Sequence, residues 1–257
     1  MAKYKILSTK KLEASQVELA NKKDIEVIEK EFIFIRPRIN EEIKKEVLDL
    51  CRNPSLDVVI TSANVLPILD ELIPQDQKPL SWRIFCLSAK TKSAVLQSGF
   101  AEWQITAEAN DGVSLAEQII LAGAKEVSFF CSSRRRDELP TLLSNSGVTV
   151  NEVVLYDTIE TPAKMDEVYD AVLFFSPSGV DSFFSMNQLK EETVCFAIGK
   201  TTADQIASHT SNRVITSKSP RQESIISAML FYFQTRPAEI SEENESQAGE
   251  NDNEIKA

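Results

Sequence analysis

The chain has 257 residues, 42% of them apolar and 26% charged, with a formal net charge of −11. That length fits one large domain or two small ones, and the mixture is that of a globular chain able to bury a sizeable core. Several classes are excluded: no apolar run approaches the ~18 residues of a spanning helix, the first residues hold no apolar stretch long enough for an export signal, and an acidic chain without a basic stripe is a poor nucleic-acid binder.

Short apolar, β-branched runs alternate with polar turns and helical patterns along the whole body. Lys5–Thr9 reads as a strand, Leu12–Ala20 as a short helix and Ile25–Ile35 as a strand charged along its first half. Arg36-Pro37-Arg38-Ile39-Asn40 reads as a break, because proline restricts both itself and the residue before it. Glu41–Arg52 follows as a helix. Asp57–Ile60 then leads into Thr61-Ser62-Ala63-Asn64 and a helix, and Trp82–Leu87 into Ser88-Ala89-Lys90-Thr91 and a helix. A short strand is expected at Trp103–Thr106 and a helix at Ser114–Leu121. Val127–Phe130 leads into Cys131-Ser132-Ser133-Arg134 and a helix, and Val150–Tyr156 closes that set. Beyond Thr161-Pro162, Ala171–Phe175 leads into Ser176-Pro177-Ser178-Gly179, and Thr193–Ile198 into Gly199-Lys200-Thr201-Thr202, each opening a helix. Arg213–Thr216 and Glu223–Phe233 are the last strand and helix.

Strands separated by helices imply parallel pairing with right-handed crossovers, and so α/β layers. Ten strands are at the upper limit for one open sheet, and two sheets of five fit the length better. The two proline breaks mark the crossings. Residues 1–36 and 162–237 then form a discontinuous outer domain, and 37–161 an α/β domain inserted in it. Residues 238–257 contribute −6 of the net charge and few apolar groups, so this acidic tail is expected to be disordered.

Much chemistry is absent from the residues. The seven glycines have spacings that rule out G-x-G-x-x-G and the P-loop. A single histidine, His209, cannot build a multi-histidine metal site, and its place at a helix end reads as a surface residue. Cys51, Cys86, Cys131 and Cys195 lack metal spacing and read as reduced thiols in a cytosolic core. The polar turns remain. In open α/β sheets ligands sit beyond the carboxyl ends of the strands, where helix starts offer unpaired N–H groups and hydroxyls add donors. Any single turn reads as ordinary capping, worth about 1 kcal/mol. Five turns split between two facing lobes suggest instead a cleft for one ligand with several negative groups. The candidate binding residues are Thr61, Ser62, Ser88, Thr91, Ser132, Ser133, Ser176, Ser178, Gly179, Lys200, Thr201 and Thr202. Arg134, Arg135, Arg136, Lys90 and Lys200 lie at or next to these turns, where they would keep the cleft locally positive; for Arg134–Arg136 the other reading is a solvated helix face. Tyr156, at a strand end beside the second crossing, is either a cleft proton donor or an amphipathic hinge tyrosine.

Ser176-Pro177-Ser178-Gly179 after Val172-Leu173-Phe174-Phe175, together with Ala197-Ile198-Gly199-Lys200-Thr201-Thr202-Ala203, resembles uroporphyrinogen-III synthase. So do the strand ending Thr61-Ser62, the strand to Ser88-Ala89-Lys90-Thr91, and Val153-Val154-Leu155-Tyr156-Asp157-Thr158, which looks like the family's strand ending in Tyr-x-Thr. The resemblance runs from about residue 3 to 233, and the order of its short motifs is more specific than any one of them. It implies two flavodoxin-like, doubly wound parallel-sheet lobes, the second inserted in the first and joined by a two-stranded connector. It implies a substrate, hydroxymethylbilane, with eight carboxylates, and a reaction that removes the terminal hydroxyl as water, inverts the last pyrrole ring and closes the macrocycle to uroporphyrinogen III, a step of haem biosynthesis. It also implies no metal and no cofactor. The resemblance further implies a cytoplasmic monomer, with no membrane or nucleic-acid partner and transient contact with the preceding deaminase. The pyrrole nitrogen can expel hydroxide, so a modest acid suffices, and the main task is holding the chain for attack through the substituted carbon. Tyr156 matches the family's candidate catalytic donor, and Thr91 and Thr202 match candidate cleft residues. The family often has Thr-Arg-Pro after the first strand where this chain has Thr9-Lys10-Lys11, so no role is carried to Lys10. Two other readings are a non-catalytic two-lobed anion or tetrapyrrole-binding module, and a receiver-like pair. The latter would want acidic strand ends, which these hydroxyl-bearing turns are not.

Overall fold

A computed structural model describes residues 2–53, 55–74, 81–88 and 90–235. The acidic stretch 238–257 therefore lies outside the described residues, as does Ala89. In chain order the elements are β1 (Tyr4–Ser8), α1 (Ala14–Asn21), β2 (Ile25–Glu29), β3 (Ile33–Pro37), α2 (Glu41–Cys51), β4 (Asp57–Ile60) and α3 (Val65–Leu72). Next come β5 (Arg83–Leu87), α4 (Lys90–Gln97), β6 (Ile105–Ala109), α5 (Gly112–Leu121), β7 (Glu126–Ser132), α6 (Glu138–Asn145) and β8 (Thr149–Glu160). The chain continues through β9 (Ala171–Phe174), α7 (Pro177–Phe184), β10 (Val194–Ala197), α8 (Lys200–His209), β11 (Val214–Thr216) and α9 (Gln222–Thr235). No helix among the described residues is long and apolar enough to cross a membrane.

Two sheets carry the strands, ordered β11-β10-β9-β1-β2 and β3-β8-β7-β4-β5-β6. Every pairing is parallel except β3 with β8. The inner strands of a sheet covered on both faces read as continuous apolar runs. Thus Ala171-Val172-Leu173-Phe174 and Val194-Cys195-Phe196-Ala197 are wholly buried, while the edge strand β6 alternates. Successive side chains point to opposite faces. Leu173 and Phe196 pack with α9, whereas Val172, Phe174 and Cys195 pack under α7 and α8. Val58 and Ile60 face α2 and α3, and Val59 faces α5 and α6. Each sheet therefore has its own pair of cores.

Four expectations change. The described residues hold eleven strands in sheets of five and six, not ten split evenly. Ile25–Ile35 is two strands, because Phe32 turns away from the strand line into the first sheet's core. There it is fully buried and meets Phe183 edge to face at 5.3 Å. The chain thus leaves the first sheet before Arg36-Pro37-Arg38, and Pro37 ends the edge strand β3, where a missing N–H is tolerated. Trp103 lies in a 3-10 turn, Glu102–Gln104, and the strand begins only at Ile105. Gln104 sets that turn, accepting from the Ala101 N–H at 2.9 Å and donating to the Trp82 carbonyl at 3.3 Å. Finally, the lobes do not share one strand order. Numbered by itself, the first sheet runs 2-1-3-4-5, the flavodoxin order. The parallel body of the second runs 3-2-1-4-5, the order of dinucleotide-binding sheets.

Gly147 closes α6 at φ +79, with Val148 N–H returning to the Leu143 carbonyl at 3.0 Å. A Cβ built there meets nothing within 4 Å, so the requirement is purely conformational. Gly147→Ala is expected to cost about 1 kcal/mol, read as a lower Tm with unchanged activity.

Candidate active site

A doubly wound sheet reverses its strand order once, and the crevice beyond that reversal is where ligands bind. The first sheet reverses between β1 and β9, the second between β4 and β7. At the end of β1, Thr9 donates both its hydroxyl and its N–H to the Leu173 carbonyl, at 2.8 and 3.0 Å. Ser8 Oγ donates to the Lys10 carbonyl at 2.6 Å. Those bonds pin the Thr9-Lys10 turn beside the end of β9. There Ser176 caps α7, its Oγ accepting from the Gly179 N–H at 3.1 Å, with Pro177 at the first helical position. A Cβ on Gly179 would stand 3.2 Å from that oxygen, so the missing side chain preserves the cap.

The second sheet contributes Thr61 and Ser62 after β4, and Lys90 and Thr91 at the start of α4. Ser62 Oγ accepts two hydrogen bonds, from the Tyr156 phenol at 2.9 Å and from the Asn64 N–H at 3.3 Å. A cleft of about 500 Å³ opens between these turns. Thr9, Lys10, Phe175 and Ser176 line it from the first sheet; Thr61, Ser62, Asn64, Lys90 and Thr91 line it from the second. Glu31 and the β3 residues Ile33, Phe34 and Ile35 form the wall where the chain passes between sheets. Its titratable side chains are Lys10, Lys90 and Glu31, so the wall is net positive in an acidic protein. Lys10 keeps solvent access overall, yet its ammonium is brought down to about 8. Lost hydration is the first cause and the like charge of Lys90 the second, with Glu31 opposing both.

Of the residues singled out from sequence, Thr61, Ser62, Thr91 and Ser176 line this cleft. Tyr156 is 4% exposed and reaches it through Ser62, and Gly179 stands behind Ser176. Ser88, Ser178, Lys200, Thr201 and Thr202 lie off its wall. Thr202 is 2% exposed within α8, whose strand β10 is one position removed from the reversal. Ser132 and Ser133 also lie elsewhere. The Ser132 hydroxyl accepts from the Arg134 N–H, and Ser133 bonds the Asp157 carboxylate. Arg134 pairs with Glu160 at 2.5 Å, and Arg135 with Glu152 at 2.6 Å. Both glutamates lie on β8, so these two arginines are engaged by that strand's carboxylates. Lys10 is given no role from sequence because it replaces the family's arginine, and Glu31 is not signalled because it lies within a run read as one continuous strand.

The family model for uroporphyrinogen-III synthase HemD matches residues 15–227. The chain belongs to the uroporphyrinogen-III synthase family. Uroporphyrinogen-III synthase of Saccharomyces cerevisiae is 28% identical over 207 residues, covering 68% of this chain and 75% of that protein. Two solved structures share the fold. A mutant uroporphyrinogen III synthase of Thermus thermophilus has a TM-score of 0.63 at 14% identity, over 90% of this chain and 98% of that one. The synthetase of Helicobacter pylori 26695 has a TM-score of 0.62 at 18% identity, over 89% and 99%. For a uroporphyrinogen-III synthase, the hydroxyl-rich, weakly cationic cleft is the expected kind of site. Its buried thiols are poor nucleophiles: burial pushes Cys86 up to about 11, and Cys131 and Cys195 to about 12. Among the described residues no group of three or more His, Cys, Asp or Glu is placed to hold a metal ion.

Asp157 carries the clearest electrostatic prediction. Arg38, the Ser133 hydroxyl and Arg36 hold its carboxyl well below the ordinary 3.8. Stability from such a group is fully present above its unfolded value and is lost as pH falls through its folded one. Asp157→Asn is therefore expected to lower Tm by a constant amount from pH 7 down to about 4, where the ordinary value of 3.8 lies. The gap to the wild type should close only below that.

Proposed function

We propose that this cleft binds hydroxymethylbilane and closes it to uroporphyrinogen III, the reaction that names the family. The observation that carries the reading is the convergence of helix-start turns from two sheets on one open cleft, with two lysines and one glutamate on its wall. Such a wall suits a polyanion: N–H groups and hydroxyls solvate carboxylates, and the lysines add charge without a dense cationic cage. Its volume of about 500 Å³ is that of a small-molecule cleft, and its open mouth leaves room for acid arms to extend outward. The domain partition we infer is 1–36 and 162–237 around the first sheet and 37–161 around the second, with Ile33–Arg36 of the outer segment running along the second sheet in β3. The antiparallel pair β3 and β8, registered from Ile33 with Glu160 to Pro37 with Tyr156, is the connector in this reading.

Within the cleft we assign the leaving-group proton to Ser62. A serine hydroxyl has one hydrogen and two acceptor positions. Tyr156 and Asn64 fill both acceptor positions of Ser62, so its hydrogen is directed to a further acceptor, and the cleft supplies the substrate's hydroxyl. As the C–O bond breaks, the pyrrole nitrogen supplies the electron pair, Ser62 gives its proton to the departing oxygen, and Tyr156 replaces that proton. Water leaves, and the carbon becomes electrophilic. Ring closure and later proton loss at carbon return the balance. Tyr156 is then a positioning and relay residue and Ser62 the catalytic one.

The first test is the isomer composition formed when the chain is coupled to the deaminase that makes hydroxymethylbilane: type III is expected, and type I alone refutes the assignment. Ser62→Ala is expected to lower kcat by about 10–100-fold, with KM little changed. Tyr156→Phe should cost less, because Ser62 keeps its own hydrogen. A larger loss for the tyrosine variant than for the serine variant would overturn the relay.

A further inference from the structure

Lys10 and Lys90 are the two cleft cations that the proton relay leaves without a role. Lys10 follows β1 of the first sheet; Lys90 opens α4, after β5 of the second. Eighty positions separate them in sequence, and they come together because both line one cleft. Both side chains line the same cleft, and the like charge of Lys90 acts on Lys10. An ammonium has three donors and no acceptor, so two charged lysines there repel. Three other lysines of the fold have carboxylate partners. Lys5 pairs with Glu167 at 2.6 Å, Lys22 with Glu18 at 2.7 Å, and Lys92 with Glu108 at 3.1 Å. Among the described residues neither Lys10 nor Lys90 pairs with a carboxylate. Glu31, the other charged group on the wall, acts on Lys10 from a distance. Two like charges brought from separate sheets to one cleft wall make a place suited to an anion.

We propose that Lys10 and Lys90 form a split clamp for a single carboxylate of the substrate, so that one acid arm ties the first sheet to the second across the cleft. The proposal rests on the reading of this cleft as the hydroxymethylbilane site. A carboxylate between the amines replaces a repulsive contact with two attractive, charge-assisted ones. The substrate thereby draws the two walls toward each other, and the arm it uses fixes which ring lies beside Ser62. Thr91, the neighbour of Lys90, adds a hydroxyl to the same wall, whereas both donors of Thr9 are already taken by the Leu173 carbonyl.

The test is equilibrium binding of uroporphyrin I, an octacarboxylate, to the full chain and to Lys10→Met, Lys90→Met and the double variant. Charge-assisted contacts of this kind are worth about tenfold in affinity each. Each single variant should therefore bind about tenfold more weakly. The double should lose well under 100-fold, since a carboxylate released by one arm is already poorly held by the other. A loss of about 100-fold means two independent carboxylates and overturns the clamp, and so does unchanged binding by either single variant. The ligand-free Tm gives a readout that a damaged fold would not: Lys10→Met should raise it by removing the repulsion, and an unchanged or lower Tm overturns the repulsive contact. The wild-type isomer composition is measured alongside. Type III product with additive variants fails the clamp alone, whereas type I product fails the functional assignment itself.

Discussion

Parallel strands all end on the same side, so each sheet of this protein collects its unpaired N–H groups and its capping hydroxyls along one edge. The reversal of strand order parts the flanking helices at one position on that edge and leaves a crevice. Thr9 and Ser176 stand at this position in one sheet and Thr61 and Ser62 in the other, and the cleft lies between them. In the first sheet the turns after both strands at the reversal line the cleft; in the second the turns after β4 and β5 do so, and the turn after β7 does not. The Gly199–Thr202 turn has small polar residues like those of the Ser176–Gly179 turn, yet it sits after β10 and off the cleft wall.

The antiparallel pair β3 and β8 is the second constraint. Arg36 and Arg38 on one side grip Asp157 on the other, Arg38 through two nitrogens at 2.7 and 3.0 Å. Ser133 and Arg134 add bonds from the turn after β7 to Asp157 and Glu160. That turn stands at the reversal of the second sheet and would otherwise face the cleft. Its hydrogen-bonding capacity is instead spent on the place where β8 extends beyond its sheet. Exposed single ion pairs contribute little, but several that converge on one partly shielded carboxylate define a direction for the strand that carries it.

Local periodicity made most of this legible. A strand, a polar turn and a helix announce themselves through apolar runs, hydroxyl-rich caps and a return to helical spacing, and the resulting α/β reading holds throughout. Strand order is a different kind of fact. It arises from which helix crosses which face, and nothing within a ten-residue window encodes it. Hence five turns look equivalent in sequence, and only the tertiary structure separates those that line the cleft. Phe32 shows the same limit at a single residue. Ile25–Ile35 has strand composition at nearly every position, and what divides it is a long-range contact with Phe183, 151 residues away. Lys10 stands out in the sequence only as a lysine where the family often has arginine. What its neighbours do not encode is the cleft that it shares with Lys90, a juxtaposition made by tertiary structure alone.

The modest charge of the cleft also bears on how the reaction is controlled. A site that gripped all eight carboxylates with arginines would bind substrate and transition state equally well, and uniform binding lowers KM without accelerating the chemical step. It would also hold the flexible chain in whichever conformation it first entered. Hydroxyls and helix-start N–H groups are weaker and more numerous partners, so individual arms can exchange places while the ligand stays bound. A small number of stronger points then decides the outcome. In the arrangement argued above, one carboxylate is fixed between Lys10 and Lys90 and one proton is delivered by Ser62, which places a single reference point and a single reacting bond on different parts of the same wall. The remaining arms need no unique partner. Ring inversion demands that the last pyrrole turn relative to the others before closure, and a cleft that fixes two positions while leaving the rest mobile permits that turn.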